Sequence, residues 1–343
     1  MRLNPSSVTL ACLALILGLA VPASAEVTRT VHAELTPAEA AHFNIENLAG
    51  SIRVSAGPGE SVTVVATVHA ESDSLADSLR FERRTWRGGE PVLRLSWPVD
   101  QHRSFRFPAA PAESEIRYAD DGSTDGWDGG RHRVRVSRDE GVLLWAELDV
   151  RVPRRALEAG FYNRAGGVTA SGVQGTLRFD TAAGAIDVDH VSGDVLADSG
   201  SGDVTAADVE GSFRCDTGSG TCDVRGFRGD RLSLDSGSGR LRLVDVQARV
   251  VDADTGSGDV EAELRSAARV RADTGSGDVR LRLPRDASFE LRADTGSGDV
   301  KSRFSDAEPI VRRREVIGYR RGDGDVKIDV DTGSGDVTVE PLG

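Results

Sequence analysis

The residues best equipped for chemistry in this chain are aspartates held in one recurring heptapeptide. Residues 254–260, 273–279, 294–300 and 331–337 all read Asp-Thr-Gly-Ser-Gly-Asp-Val, and degenerate copies begin at Asp180, Asp198, Asp216 and Asp235. Asp-Thr-Gly and Asp-Ser-Gly are the triplets with which aspartic proteases place two carboxylates around one proton. A protease needs two copies; here the triplet recurs in seven of the eight repeats, so a turn explains it better than catalysis. The same carboxylates suggest metal chemistry. Stacked copies would set Asp259, Asp278 and Asp299, with Asp336 of the last copy, in a row about 5 Å apart. Like charges that close repel by about 1 kcal/mol per pair at solvent dielectric. The expected compensation is backbone N–H donors together with the outward Arg280 and Arg282. The alternative is Ca²⁺ along the edge, since that ion takes several oxygens from carboxylates and turn carbonyls. No cofactor is therefore expected, with calcium as the second choice.

Other chemistry-bearing groups are weaker signals. Asp120 to Asp128 is an acidic stretch containing Trp127, able in principle to hold a cation or stack on a sugar, but a polar surface loop accounts for it. Arg228-Gly229-Asp230 and Arg321-Gly322-Asp323 spell a cell-attachment tripeptide that arises easily in a chain rich in all three residues. The six histidines show no metal-ligand spacing, and no GxSxG, HExxH or phosphate-binding loop is present. A polysaccharide-acting enzyme would need acids and bases converging on an outer sheet face, for which Arg280, Arg282, Arg292 and Asp299 are the candidates.

The elements that position these groups follow from the period. Successive starting aspartates lie 18, 18, 19, 19, 19, 21 and 37 residues apart, the last interval being one repeat plus an insertion. One supersecondary unit per repeat is the physical meaning of such a spacing. Around each heptapeptide apolar and polar residues alternate with period two, as in Val279, Leu281 and Leu283 after one copy and Phe289, Leu291 and Ala293 before the next. Each repeat thus holds two strands joined by a Gly-Ser-Gly turn. Stacking pairs each strand in parallel with its equivalent one repeat on, burying small residues such as Ala206, Ala253, Ala262 and Ala272 between two sheets. The expected fold is all-β, a right-handed parallel β-solenoid of 18–21-residue coils, since parallel crossovers are overwhelmingly right-handed. Within the heptapeptide the first Asp is expected to accept backbone N–H bonds, the glycines to supply positive φ, and the Thr and Ser hydroxyls to bond along the stack. Cys215 takes an inward slot held elsewhere by Ala253 or Ala272, and Cys222 one held by Val260 or Val279. A Cys215–Cys222 disulfide is expected, two free buried thiols being the alternative.

Composition agrees with a thin core. Of 343 residues 38% are hydrophobic and 5% aromatic, with 39 glycines. The net charge of −13 argues against nucleic acid and against anionic membrane surfaces. Residues 1–25 have the form of a signal peptide: Arg2, an apolar run from Val8 to Val21, and Ala23-Ser24-Ala25, predicting cleavage between Ala25 and Glu26. That run is too short to span a bilayer, so the mature chain is expected to be exported without a membrane span, to the periplasm or the cell surface. Residues 26–155 are predicted β-rich, with strands near Val27 to Leu35, Ile52 to Ser55, Val62 to Val68, Val92 to Trp97, His132 to Ser137 and Val142 to Val152. They either begin the stack with longer excursions or form a separate small domain. A capping box opens at Thr36. Residues 156–343 are the solenoid proper, with an insertion near 302–321.

The pattern resembles the exported bacterial "putative adhesin" family of β-strand repeat proteins, which repeat a T-x-S-G-D-V turn. Asn47 to Val54 is similar to its opening N-x-x-G-x-I-x-V strand, Asp149 to Pro153 to its V-x-V-P strand end, and Gly322 to Val337 to its closing coil. Polar insertions around Pro108 to Glu140 and Ser302 to Arg321 depart from it. The resemblance implies the fold, the family's biochemical role not being established. The export signal, a repeat explained by folding alone and the lack of a catalytic constellation point to a non-catalytic envelope or surface scaffold or binding module; the sequence names no partner, an envelope polysaccharide or protein being the candidate class. A polysaccharide-acting β-helix enzyme and a calcium-stabilised repeat protein are the alternatives.

Overall fold

The computed structural model describes residues 26–86, 89–111, 113–118 and 132–343. The predicted leader, including Ala25, and the acidic stretch Asp120 to Asp128 lie outside them. The described chain is all-β apart from a 3-10 turn at Glu39–Ala41 and one helical turn at Asp73–Ala76. No helix of it is long and apolar enough to cross a membrane. The capping box forms, with the Thr36 N–H donating to Glu39 Oε2 at 2.8 Å.

From residue 157 onward each repeat contributes a strand before its turn and a shorter strand after it, such as Glu210–Thr217 and Cys222–Arg225. Each pairs in parallel with the equivalent strand one repeat on: Asp198 faces Asp216, and Val204 faces Cys222. The leading strands build one sheet and the trailing strands the other, while His42–Ala56 and Leu241–Thr255 run through both. The small interior residues Ala206, Ala253, Ala262 and Ala272 are buried as expected. The core is nevertheless less uniformly small than the composition suggests, because phenylalanines gather in its first half. Phe161 stacks on Phe179 at 5.5 Å and meets Phe43 edge-on at 5.9 Å.

Spatial order departs from chain order at both ends. Residues 42–49 lie between Pro91–Ser96 and Leu157–Ala165, and 50–56 between Val142–Val152 and Val168–Ser171. The earliest coil is thus enclosed by two later ones. At the opposite end Val326–Thr332 pairs with Arg269–Thr274 on one side and Phe289–Thr295 on the other. The last coil therefore sits between its two predecessors. The register of outward charges favours the arrangement. Asp329 lies in register with Arg271 and with Arg292, and Glu340 pairs with Arg282 at 2.9 Å and Arg303 at 3.4 Å. Stacking in chain order would bring Arg271 beside Arg292 and leave both acids at the edge; like charges directly opposite are unfavourable.

Within the heptapeptide the threonine hydroxyl bonds along the stack as expected, whereas the first Asp, the turn serine and the glycines depart from their expected roles. Its second residue, not its first, knits the turn: Thr274 Oγ1 donates to the Gly258 carbonyl at 2.9 Å and accepts the Gly277 N–H at 3.0 Å. Thr217, Ser236, Thr255 and Thr332 repeat this pair of bonds, and all are buried. Asn163 serves instead in an early coil, donating to the Gly50 and Gly167 carbonyls. The serine of the turn is exposed, as at Ser257 and Ser276. No glycine of a Gly-Ser-Gly turn has positive φ. Their requirement is spatial: a Cβ on Gly258 would overlap the Gly239 carbonyl of the coil beneath.

Cys215 and Cys222 are both fully buried and bonded across one such turn, with Cα atoms 6.7 Å apart. Thiol titration of unfolded residues 26–343 without reductant should find no reactive thiol, and Cys215→Ala should cost about 2–3 kcal/mol from the loop entropy released. Two titratable thiols would contradict the bridge.

Candidate functional site

Strand pairing converts the repeated aspartates into two rows. The sixth residue of the heptapeptide forms the turn row, in the order Asp259, Asp278, Asp336, Asp299. Each carboxylate accepts the N–H of the next member: Asp278 N to Asp259 at 3.0 Å, Asp336 N to Asp278 at 2.8 Å and Asp299 N to Asp336 at 2.9 Å. Asp299 is thus separated from Asp278 by Asp336. Lys301 bridges Asp299 and Asp336 at 3.0 Å each. The bond from the Asp299 N–H, then Lys301, holds the Asp336 carboxyl below its ordinary range. The compensating groups are therefore backbone amides, Lys301 and, 3.9 Å from Asp259, Arg240. Arg282 instead pairs with Glu263 and Glu340. Melting with and without chelator separates this from cation binding: an unchanged midpoint is expected, and a drop of several degrees in chelator would assign calcium to the row.

The first residues form a longer row on the outer face of the leading sheet: Asp180, Asp198, Asp216, Asp235, Asp254, Asp273, Asp331, Asp294. Burial, then Asp273 and Asp235, raise the Asp254 carboxyl above its ordinary value of 3.8. A raised folded pKa means the folded chain binds the proton more tightly than the unfolded chain. Stability from this group therefore falls as pH rises from the unfolded value through the folded one. Asp254→Asn should accordingly raise the melting midpoint by a few degrees at pH 7, the gain vanishing near pH 3. A gain that persists in acid, or a loss at pH 7, would contradict the repulsion.

The row continues into a groove. In register beyond Asp180 come Tyr162, Glu46 and Arg94. Glu46 and Arg94 form a buried ion pair at 2.7 Å. Tyr162 folds back across Gly160, where any Cβ would overlap its ring. Burial pushes the Tyr162 hydroxyl up to about 12, so it remains a neutral donor. Trp86 meets the Tyr162 ring edge-on at 4.8 Å, and the guanidinium carbons of Arg164 and Arg178 lie 5.5 and 5.8 Å from its centroid. Asp180 takes Arg164 at 3.0 Å and Arg178 at 2.9 Å, and Arg178 also reaches Asp198 at 3.0 Å. Burial works against the Arg178 charge, but Asp180 and Asp198 hold its pKa above the ordinary value.

Two adjoining depressions, of about 530 and 720 Å³, share Glu90, Tyr162 and Arg178 in their walls. The first runs over small side chains, among them Ser212 and Ser233; the second lies beneath Trp86 and residues 115–117. The Trp86 indole Nε1 is buried without an acceptor among the described residues. The residues singled out in the sequence for a polysaccharide enzyme do not meet here. Arg280 and Arg282 stand on the trailing sheet, Arg292 on the leading sheet, and Asp299 in a turn between them.

One group escaped the sequence. Asp189, His190 and Asp208 offer three ligand atoms within 4.8 Å of one another, all exposed. The 18-residue period that sets Asp208 beside His190 was the available signal. The Asp189 carboxylate, bonded to Nδ1 at 2.8 Å, raises the imidazole pKa. In each tripeptide noted above one charged residue is paired: Asp230 with Arg249, and Arg321 with Asp306.

Residues 146–340 match the family described as Toastrack DUF4097. Among solved structures, the chain is similar to a "putative cell adhesion protein" from Clostridium sporogenes, at 11% identity over 92% of this chain and 100% of that one, with a TM-score of 0.22. A "putative adhesin" from Bacteroides fragilis shares 11% identity over 93% and 98% of the two chains, with a TM-score of 0.40. A "putative lipid binding protein" from Parabacteroides distasonis shares 11% over 92% and 97%, at 0.38. No curated protein matches the chain.

Proposed function

Since the chain belongs to the Toastrack DUF4097 family, we propose that it is a non-catalytic binding scaffold of the cell envelope. In this proposal it is exported to the periplasm or the cell surface as a right-handed β-solenoid that holds a glycan chain in the groove beside Tyr162. The observation that carries the proposal is the meeting of Trp86, Tyr162, Arg164, Arg178, Asp180 and Asp198 in one open groove. Sugar rings present apolar C–H faces that suit aromatic walls, and hydroxyls that suit charged donors and acceptors.

A binding role is favoured over hydrolysis because Asp180 and Asp198 belong to a row that continues through Asp216, Asp235, Asp254 and Asp273, none of which lines either depression. Their position is set by the repeat. Asp180 is also held by two arginines, which suits recognition better than proton donation. The test is titration of the mature chain with neutral and acidic envelope oligosaccharides, alongside a reducing-end assay. Binding without cleavage is expected, with Trp86→Ala and Tyr162→Ala each weakening it about tenfold or more. Retention of no glycan, or unchanged binding by both variants, would overturn the proposal. Release of reducing ends would restore the polysaccharide-acting enzyme.

A further inference from the structure

The hairpin formed by Glu308–Arg312 and Glu315–Arg321 lies in the insertion near the far end of the stack. Its base is a cap: Gly318 to Arg321 pair antiparallel with Phe289 to Arg292, covering the edge of the leading sheet. Its tip has no such duty. Residues 310–312 and 315–318 pair with each other, and 315–317 pair with no other strand.

The tip differs from the rest of the surface in three respects. Val311 and Val316 face each other in register and are 58% and 38% exposed, the large apolar side chains left most open among the described residues. Ile310 and Ile317 beside them are only half-buried. Arg312, Arg313 and Arg314 follow directly, and none has an ion-pair partner among the described residues. In a chain of net charge −13, residues 302–321 hold six arginines against three acids. Finally, the two-residue turn places Arg313 at φ 50° and Arg314 at φ 74°. Two-residue turns with positive φ at both positions favour Asn-Gly, so the arginines sit there at a conformational cost.

We propose that this tip docks the protein on an anionic phospholipid surface, the valines entering the headgroup boundary and the arginines meeting lipid phosphates. A soluble polyanion would use the arginines but leave the paired valines exposed, whereas a bilayer interface accommodates both. Arg312 and Arg313 also border a depression of about 520 Å³ floored by Asp294, Asp329 and Asp331. If the arginines serve only to neutralise those aspartates, no lipid binding follows.

The test is co-sedimentation of the full mature chain with vesicles of phosphatidylcholine alone, or containing about 30% phosphatidylglycerol, at about 20 mM and about 0.5 M salt. Binding is expected only with the anionic lipid, at least tenfold weaker at high salt. The double variant R313N/R314G relaxes the turn and removes two charges. It should lose binding at least tenfold while melting no lower than the parent. V311S/V316S should lose binding while keeping the charge. No binding of the parent, equal binding to neutral vesicles, or either variant binding as tightly as the parent would overturn the assignment. Binding to soluble polygalacturonate that survives V311S/V316S would also overturn it, in favour of a polymer. Trp86→Ala should leave vesicle binding unchanged, which separates this result from the glycan groove.

Discussion

Gly258→Ala is expected to abolish cooperative folding of the coils around it, whereas Ser257→Ala, one residue away, should melt with the parent. The new methyl would overlap the Gly239 carbonyl of the coil beneath. The flanking bonds leave no slack to absorb it. Thr255 Oγ1 reaches the same Gly239 carbonyl at 2.9 Å and accepts the Gly258 N–H at 3.2 Å, while the Gly258 carbonyl takes Thr274. Moving the turn outward breaks those bonds among buried groups; leaving it in place keeps the overlap. Either outcome should cost about 4 kcal/mol or more, a large part of the 5–15 kcal/mol that holds a domain together. Ser257 is exposed and its hydroxyl bonds to nothing among the described residues. Denaturant melts of both variants check the contrast. A Gly258→Ala protein within about 1 kcal/mol of the parent would mean that the coils are not stacked this closely.

Deleting residues 326–343 is expected to release more of the chain than it removes. The coil of residues 289–302 has its stack neighbour only in Val326–Thr332 and Val337–Pro341, and the capping hairpin is built on that coil. Without the last coil, residues 289–321 lose their foundation. Settling on residues 269–283 would set Arg292 opposite Arg271 without Asp329 between them, which is unfavourable. Hydrogen exchange should show residues 289–321 unprotected while the strands from 157 to 250 keep their protection. Retained protection at 289–295 would show that coils are interchangeable and that charge does not order them.

These expectations mark what the sequence could convey. Period-two alternation is a local signal, so Val27–Leu35, His132–Ser137 and Val142–Val152 are strands at their expected bounds, and Thr36 and Glu39 cap as their spacing requires. The order of coils is not a local property. Four identical heptapeptides have identical pairing preferences, so nothing in the motif decides whether the last copy follows its predecessor in chain order or sits between its two predecessors. That choice falls to outward residues such as Asp329 and Glu340, which look like ordinary surface charges in a linear reading. The threonine's bond along the stack follows from the repeat, but the roles of the first Asp and the glycines differ from expectation for a related reason. Positive φ and Asx turns explain one turn alone, whereas the glycines and threonines here answer to the coil beneath. The groove was hidden because Trp86 and Glu90 lie outside the repeats and meet Tyr162 only through the excursion leading into Pro91–Ser96. The calculation from net charge alone likewise averaged away the arginines of the 308–321 hairpin.

Oxidative cross-linking of paired cysteines at the exposed serines of the turns reads the stacking order directly. Ser276 and Ser334 lie in adjacent coils, between the facing pairs Thr274 with Thr332 and Val279 with Val337. Neighbouring strands are about 4.8 Å apart, within disulfide reach, and coils one removed about 10 Å apart, beyond it. S276C/S334C should therefore cross-link readily, while S276C/S297C should not. Rapid cross-linking of S276C/S297C with none in S276C/S334C would put the coils in chain order and contradict the intercalated stack.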